Sequence, residues 1–115
     1  MTHLADKICT VASENEGIKE DEIPHYMAQI HGDWQIEDEE ALKRKFTFKG
    51  FIEAVNWAEG LTELVESQGH HPEITITYGT AEIKFHTPEV QGLHENDFIM
   101  AARIDKHQRK DKASN

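Results

Sequence analysis

The chain has 115 residues and a mass of 13.2 kDa, which is room for one domain with a modest core and not for two. Only 37% of its residues are hydrophobic, but they recur periodically, as in a globular rather than a disordered chain. The formal charge of −10, with histidine neutral, argues against direct binding to DNA or RNA, which calls for a basic surface.

Residues 1–18 show no sustained period, with a loop at 13–17, and are expected to form a loosely attached arm ahead of a single domain at 19–110. From Glu14 to Glu40 ten acidic residues stand against Lys19 alone, a solvated acidic face or a docking patch for a basic partner. Glu20-Asp21-Glu22 starts a helix over 20–31, with acidic groups where the helix dipole favours them and Pro24 tolerated in the first turn. Ile23, Met27 and Ile30 form its apolar stripe and Gly32 its stop, leaving His25 and His31 at the surface. Trp34–Glu37 and Leu42–Phe48 alternate on either side of a turn at 38–40 and predict a β-hairpin. Arg44 interrupts the apolar side of the second strand, so that side is either edge-like or the arginine meets an acid.

Gly50 opens the longest predicted helix. Phe51, Val55, Ala58, Leu61, Leu64 and Val65 make its stripe, and Trp57 falls off it, available to a partner interface. Its end leads into Glu66-Ser67-Gln68-Gly69-His70-His71-Pro72. Gly69 suits the left-handed residue that ends a helix, and Pro72 cannot continue one. Histidine titrates near pH ~6.5, so two adjacent imidazoles at such a junction suit a proton donor and acceptor. By itself the run reads equally well as a polar loop with two solvated histidines.

Ile74, Ile76 and Tyr78 then alternate with polar residues, and Ala81, Ile83 and Phe85 do so after a two-residue Gly79-Thr80 turn. Pairing Tyr78 with Ala81 puts the apolar residues on one sheet face and His86 on the other, nearly across from Glu73. A last helix is expected from His94 to Arg109, with His94 as N-cap and Asp97 three residues on, followed by a frayed tail at 111–115. The order α-β-β-α-β-β-α predicts an α+β fold: a four-stranded antiparallel sheet with three helices on one face.

These residues resemble the pterin-4a-carbinolamine dehydratases, or 4a-hydroxytetrahydrobiopterin dehydratases, from about Glu20 to Ile104. The resemblance rests on Gly32-Asp33-Trp34, Phe46 through Phe51, Glu66 through Glu73, Gly92-Leu93 and Glu95 through Ala102. The family signature is an acid, three residues, His-His-Pro, an aromatic, a third histidine and a later aspartate. Glu66, His70, His71, Pro72, Tyr78 and Asp97 match it in type and spacing. The third histidine does not: Pro88 follows Thr87 where the family has it, and His86 stands two residues earlier, ~6–7 Å away at strand rise.

The resemblance implies dehydration of a 4a-hydroxytetrahydropterin to the quinonoid dihydropterin in pterin recycling, with no metal or organic cofactor, by a homodimer or homotetramer. It casts His70 and His71 as an acid/base pair, with His86 as a possible third member. Glu66 and Asp97 become orienting carboxylates, and Pro72, Glu73, Tyr78 and Thr87 join the substrate site. The rival reading is a family member weakened by Pro88 that serves as a pterin-binding or protein-binding module, since some relatives are dimerisation cofactors of transcription factors.

Other classes find little support. Eight histidines suggest metal, but there is no helical His-x-x-x-His pair, and Cys9, the single cysteine, rules out a two-cysteine metal site and an internal disulfide. A triad hydrolase lacks its Gly-x-Ser-x-Gly elbow. No stretch approaches the ~18 apolar residues of a membrane span. Met1–Asp6 lacks a secretory pattern and a lone thiol suits a reducing compartment, so the cytoplasm is the expected location.

Overall fold

The two runs of alternating residues become two antiparallel hairpins that join into one sheet. The computed structural model describes residues 3–13, 16–90 and 92–113, with side chains as far as residue 108. Its strands are β1 (Gln35–Glu37), β2 (Ala41–Thr47), β3 (Glu73–Thr77) and β4 (Thr80–Phe85), arranged β1-β2-β4-β3 with every neighbouring pair antiparallel. The helices are α1 (Ile23–Met27), α2 (Phe51–Glu59), α3 (Thr62–Gln68) and α4 (Glu95–Ala113). This is the expected α+β architecture, with the middle helix in two pieces.

Period-two alternation gives the sheet one apolar face. Leu42 and Phe46 of β2 and Ala81, Ile83 and Phe85 of β4 are buried there beneath Phe98, Ile99, Met100 and Ile104 of α4 and Ala54, Trp57, Leu61 and Val65 of the α2–α3 region. Arg44 also lies on this face and does meet an acid. Its Nη1 is 2.7 Å from Asp105 Oδ1, and Asp105 also accepts the Trp34 indole N–H at 2.8 Å and the His31 backbone N–H at 2.9 Å. The guanidinium lies 4.3 Å from the centre of the Phe46 ring. One buried carboxylate thus ties α4 to β2 and to the segment that precedes β1.

Several boundaries differ from the sequence expectation. The first helix is a 3-10 turn at Glu20–Glu22 followed by α1, and it ends at Met27. The second hairpin turns through Tyr78-Gly79, with Thr77 opposite Thr80 and Gly79 at φ +82°. The shift is two residues, so each side chain keeps its predicted face. Glu73 consequently stands directly opposite Lys84, with His86 two residues further along the chain and lining the same small hollow.

The long helix breaks at Gly60, where a Cβ would come 3.3 Å from the Trp57 carbonyl oxygen. The Thr62 hydroxyl donates to the Glu59 carbonyl at 2.9 Å and so satisfies a group the break frees. In α2 the buried residues are Ala54 and Trp57, one position round from the predicted Val55 and Ala58, while Leu61 and Val65 are buried as expected. Trp57 is core, not a partner contact: it packs 4.4 Å from Phe46 and donates its indole N–H to Gln108. Phe51 is exposed instead.

The N-terminal arm is docked, not loose. Leu4 is buried, Arg103 donates twice to the Lys7 carbonyl, and Lys7 pairs with Glu95 at 2.9 Å. α4 runs to Ala113, beyond the expected end at Arg109. Residues 14 and 15 of the expected loop, and the last two of the expected tail, lie outside the described residues.

Candidate active site

Gly69 is the pivot. It ends α3 at φ +66° with its N–H bonded to the Val65 carbonyl at 2.9 Å. A Cβ there would meet nothing within 4 Å, so the left-handed backbone and not crowding favours glycine. Beyond it three residues lead to β3, and the two histidines among them point to opposite sides. His70 turns in towards α4, and His71 turns out towards α3.

The His70 ring stacks on buried Phe85 with centroids 5.8 Å apart and planes at 10°. Its Nε2 lies 2.7 Å from Asp97 Oδ1. Asp97 is fully buried in the first turn of α4. Its other oxygen accepts the Thr87 hydroxyl at 2.8 Å and the His94 backbone N–H at 2.9 Å. With those donors fixing the carboxylate as an acceptor, His70 presents Nε2–H to it and leaves Nδ1 without a partner among the described residues. The predicted cap is also present: the His94 side chain accepts the Asn96 N–H at 2.9 Å, closing the turn that holds Asp97.

His71 forms a second imidazole–carboxylate pair, with Nε2 2.5 Å from Glu66 Oε2. Both side chains are exposed, at 61% and 73%, so this contact adds little to stability. The pair stands at the rim of an apolar groove of about 400 Å³ formed by Leu61, Val65, Pro72 and Ile74. His70 opens on a different hollow, also about 400 Å³, bounded by Gln68, Thr87, Glu89, Asn96 and the arm at 9–12.

The structure therefore gathers His70, Thr87 and Asp97 at one side of the turn and Glu66, His71 and Pro72 at the other. Three candidates, His86, Glu73 and Tyr78, stand apart. His86 is exposed and lines a hollow of about 210 Å³ with Glu37, Glu73 and Lys84. As Phe85's neighbour it looks out from the opposite sheet face. Tyr78 is 81% exposed in the β3–β4 turn, close to Gly50, and six residues of strand put it ~20 Å from Pro72. Pro88 opens a 3-10 turn, Pro88–Val90, beside the His70 hollow.

Sequence reasoning did not find Gln68, Asn96 or the arm residues around this hollow. The Cys9 backbone N–H bonds Gln68 Oε1 at 2.9 Å, and Thr10 and Asn96 exchange hydrogen bonds of 3.0 and 2.7 Å. Burial pushes the Cys9 thiol up to about 11. The arm carries no sustained periodic signal from which its docking could be read.

An α+β frame of this order, with two imidazole–carboxylate pairs flanking the pivot between a helix and a strand, defines a small-domain class with its candidate chemistry at one sheet end. The sequence model of the pterin 4 alpha carbinolamine dehydratase family matches residues 16–107, and the chain belongs to that family. A protein of Alkaliphilus metalliredigens named "Putative pterin-4-alpha-carbinolamine dehydratase" is 37% identical over 109 residues, covering 94% of this chain and 98% of that protein. A Methylococcus capsulatus protein of the same name is 47% identical over 74 residues, 64% of this chain and 65% of that one. The crystal structure of a transcriptional coactivator/pterin dehydratase from Brucella melitensis superposes with a TM-score of 0.70 at 26% identity, covering 78% of this chain and 96% of that one.

Proposed function

We propose that this protein dehydrates a 4a-hydroxytetrahydropterin to the quinonoid dihydropterin by general acid–base elimination. The reaction removes the N5 proton while the C4a–oxygen bond breaks and the hydroxyl leaves as water, with no change of oxidation state and no cofactor required. The observation that carries this reading is the His70–Asp97 pair, a positioned imidazole on a fully buried carboxylate, facing a hollow within the ~300–1,000 Å³ range of small-molecule pockets. In this mechanism His70 Nδ1 receives the N5 proton and Asp97 holds the ring by its other nitrogen. His71, paired with Glu66 and open to water, supplies the proton to the departing hydroxyl and is recharged from solvent. The metabolic setting is pterin recycling in the cytoplasm, where a reductase consumes the product.

The test is the decay of 4a-hydroxypterin absorbance with and without protein. His70→Ala is expected to lower kcat ~10²–10⁴-fold, the usual worth of one acid–base group. Decay at the uncatalysed rate with the unaltered protein would overturn the enzymatic reading.

A second reading keeps the pocket and drops the turnover: a pterin-binding or protein-binding module. Pro88 favours it, since it brings no ionisable group beside the His70 hollow, and His86 looks away from that hollow. The Brucella neighbour's description as a coactivator points the same way. Pro88→His separates the two. A large gain in kcat means the natural site is incomplete, and no gain supports the two-histidine mechanism. Under either reading the protein is a homodimer or homotetramer; exposed Phe51, Ile52 and Tyr78 offer apolar surface for self-association, which sedimentation would measure.

A further inference from the structure

The hollow that His70 faces has one wall contributed by residues far away in sequence. Cys9, Thr10, Val11 and Ala12 line it opposite the α3–β3 turn, and they precede residue 16, where the match to the family begins. The arm is held there by specific polar bonds. Thr10 N–H donates to Asn96 Oδ1 at 3.0 Å and Asn96 Nδ2 donates to the Thr10 carbonyl at 2.7 Å, a reciprocal pair that fixes both backbone groups of one residue. The Cys9 N–H is held by Gln68 at 2.9 Å, one residue before the Gly69 pivot. Upstream, buried Leu4, the Arg103–Lys7 carbonyl bonds and the Lys7–Glu95 ion pair anchor the rest of the arm to α4.

Asn96 is itself 4% exposed, and its neighbour Asp97 holds His70. The same helical turn therefore holds His70 through Asp97 and the opposite wall of the hollow through Asn96.

We infer that residues 9–12 are part of the substrate pocket, the wall that a bound planar bicycle meets across from His70, and that Asn96 is the positioning residue for that wall. This rests on the functional reading above and assigns a substrate-contact role to a segment outside the family match. The arm touches the ligand and not the reacting proton, so it contributes binding shared by ground and transition states. Disturbing it raises KM and leaves kcat in place.

The experiment compares the unaltered chain with Ala12→Trp, which adds bulk at the wall, and Ile8→Trp, the same change at an exposed arm residue that does not line the hollow. Binding of a 7,8-dihydropterin is followed by its fluorescence, and steady-state kinetics are measured in parallel. Ala12→Trp is expected to raise both Kd and KM about tenfold, with kcat changed less than about twofold, and Ile8→Trp to change none of them. Equal effects at both positions, or none at Ala12, overturn the inference.

Asn96→Ala is expected to raise KM in the full chain and to have no further effect on KM once residues 1–12 are deleted, because its action runs through the arm. Should the deletion fail to fold, the paired tryptophan variants still decide. Turnover with an unmoved KM in Ala12→Trp sinks this inference alone; no turnover and no dihydropterin binding by the unaltered chain sinks the functional reading, and this one with it.

Discussion

At the residue scale, what distinguishes His70 from His71 is the group each meets. His70 has a carboxylate that is buried and already bonded by Thr87 and His94, so its ring is fixed in orientation and tautomer. His71 has an exposed partner on a helix surface. Asp97→Asn tests the difference. The amide would keep its oxygen towards Thr87 and His94 and turn its N–H₂ on His70, which moves the ring proton to Nδ1 and removes the free acceptor. A ~10²–10⁴-fold loss of kcat with a near-normal fold by circular dichroism is expected. Glu66→Gln, at an exposed pair, should cost far less. Asp105 holds a different kind of position. Asp105→Ala leaves the Arg44 charge and the Trp34 N–H without their partner in the core, at a cost of about 3–5 kcal/mol, read from the shift of a urea unfolding curve.

At the element scale, the ends of the helices do most to place the site. Gly69→Ala forces a left-handed alanine into open space and should cost about 1–2 kcal/mol, with Gly69→Asn costing less. This end was legible in the sequence because a helix stop followed by His-His-Pro is a local pattern. So were both hairpins and the His94–Asp97 cap, each governed by residues a few positions apart. The break at Gly60 was not. Glycine inside a periodic run reads as a tolerated weakness, and only the placement of Trp57 against Phe46 shows which side of α2 is core. The Tyr78-Gly79 turn was also missed, since sequence parity leaves a two-residue shift undetected.

At the scale of the whole molecule, the arm was the least legible part, because its bonds to Asn96, Gln68 and Arg103 span 59 to 96 positions of chain. Cys9 reports on its docking. With the folded thiol raised to about 11, it stays protonated while the thiol of an unfolded chain ionises above its ordinary pKa of ~8.5. The raised value means that this contribution to stability is complete below the unfolded pKa and is lost as pH rises through the folded one. Stability measured from about pH 8.5 to 11 should therefore fall less steeply in Cys9→Ala. Alkylation by iodoacetamide at neutral pH should be slow in the native protein and fast in denaturant, as mass spectrometry would show.

The alternation of His70 and His71 about the pivot also constrains how this chain can vary. One residue inserted between Gly69 and His70 would put the inserted side chain where His70 now meets Asp97 and turn the first imidazole towards solvent, unmaking the pair while keeping both side chains that form it. The length of that connector is therefore as constrained as the residues in it.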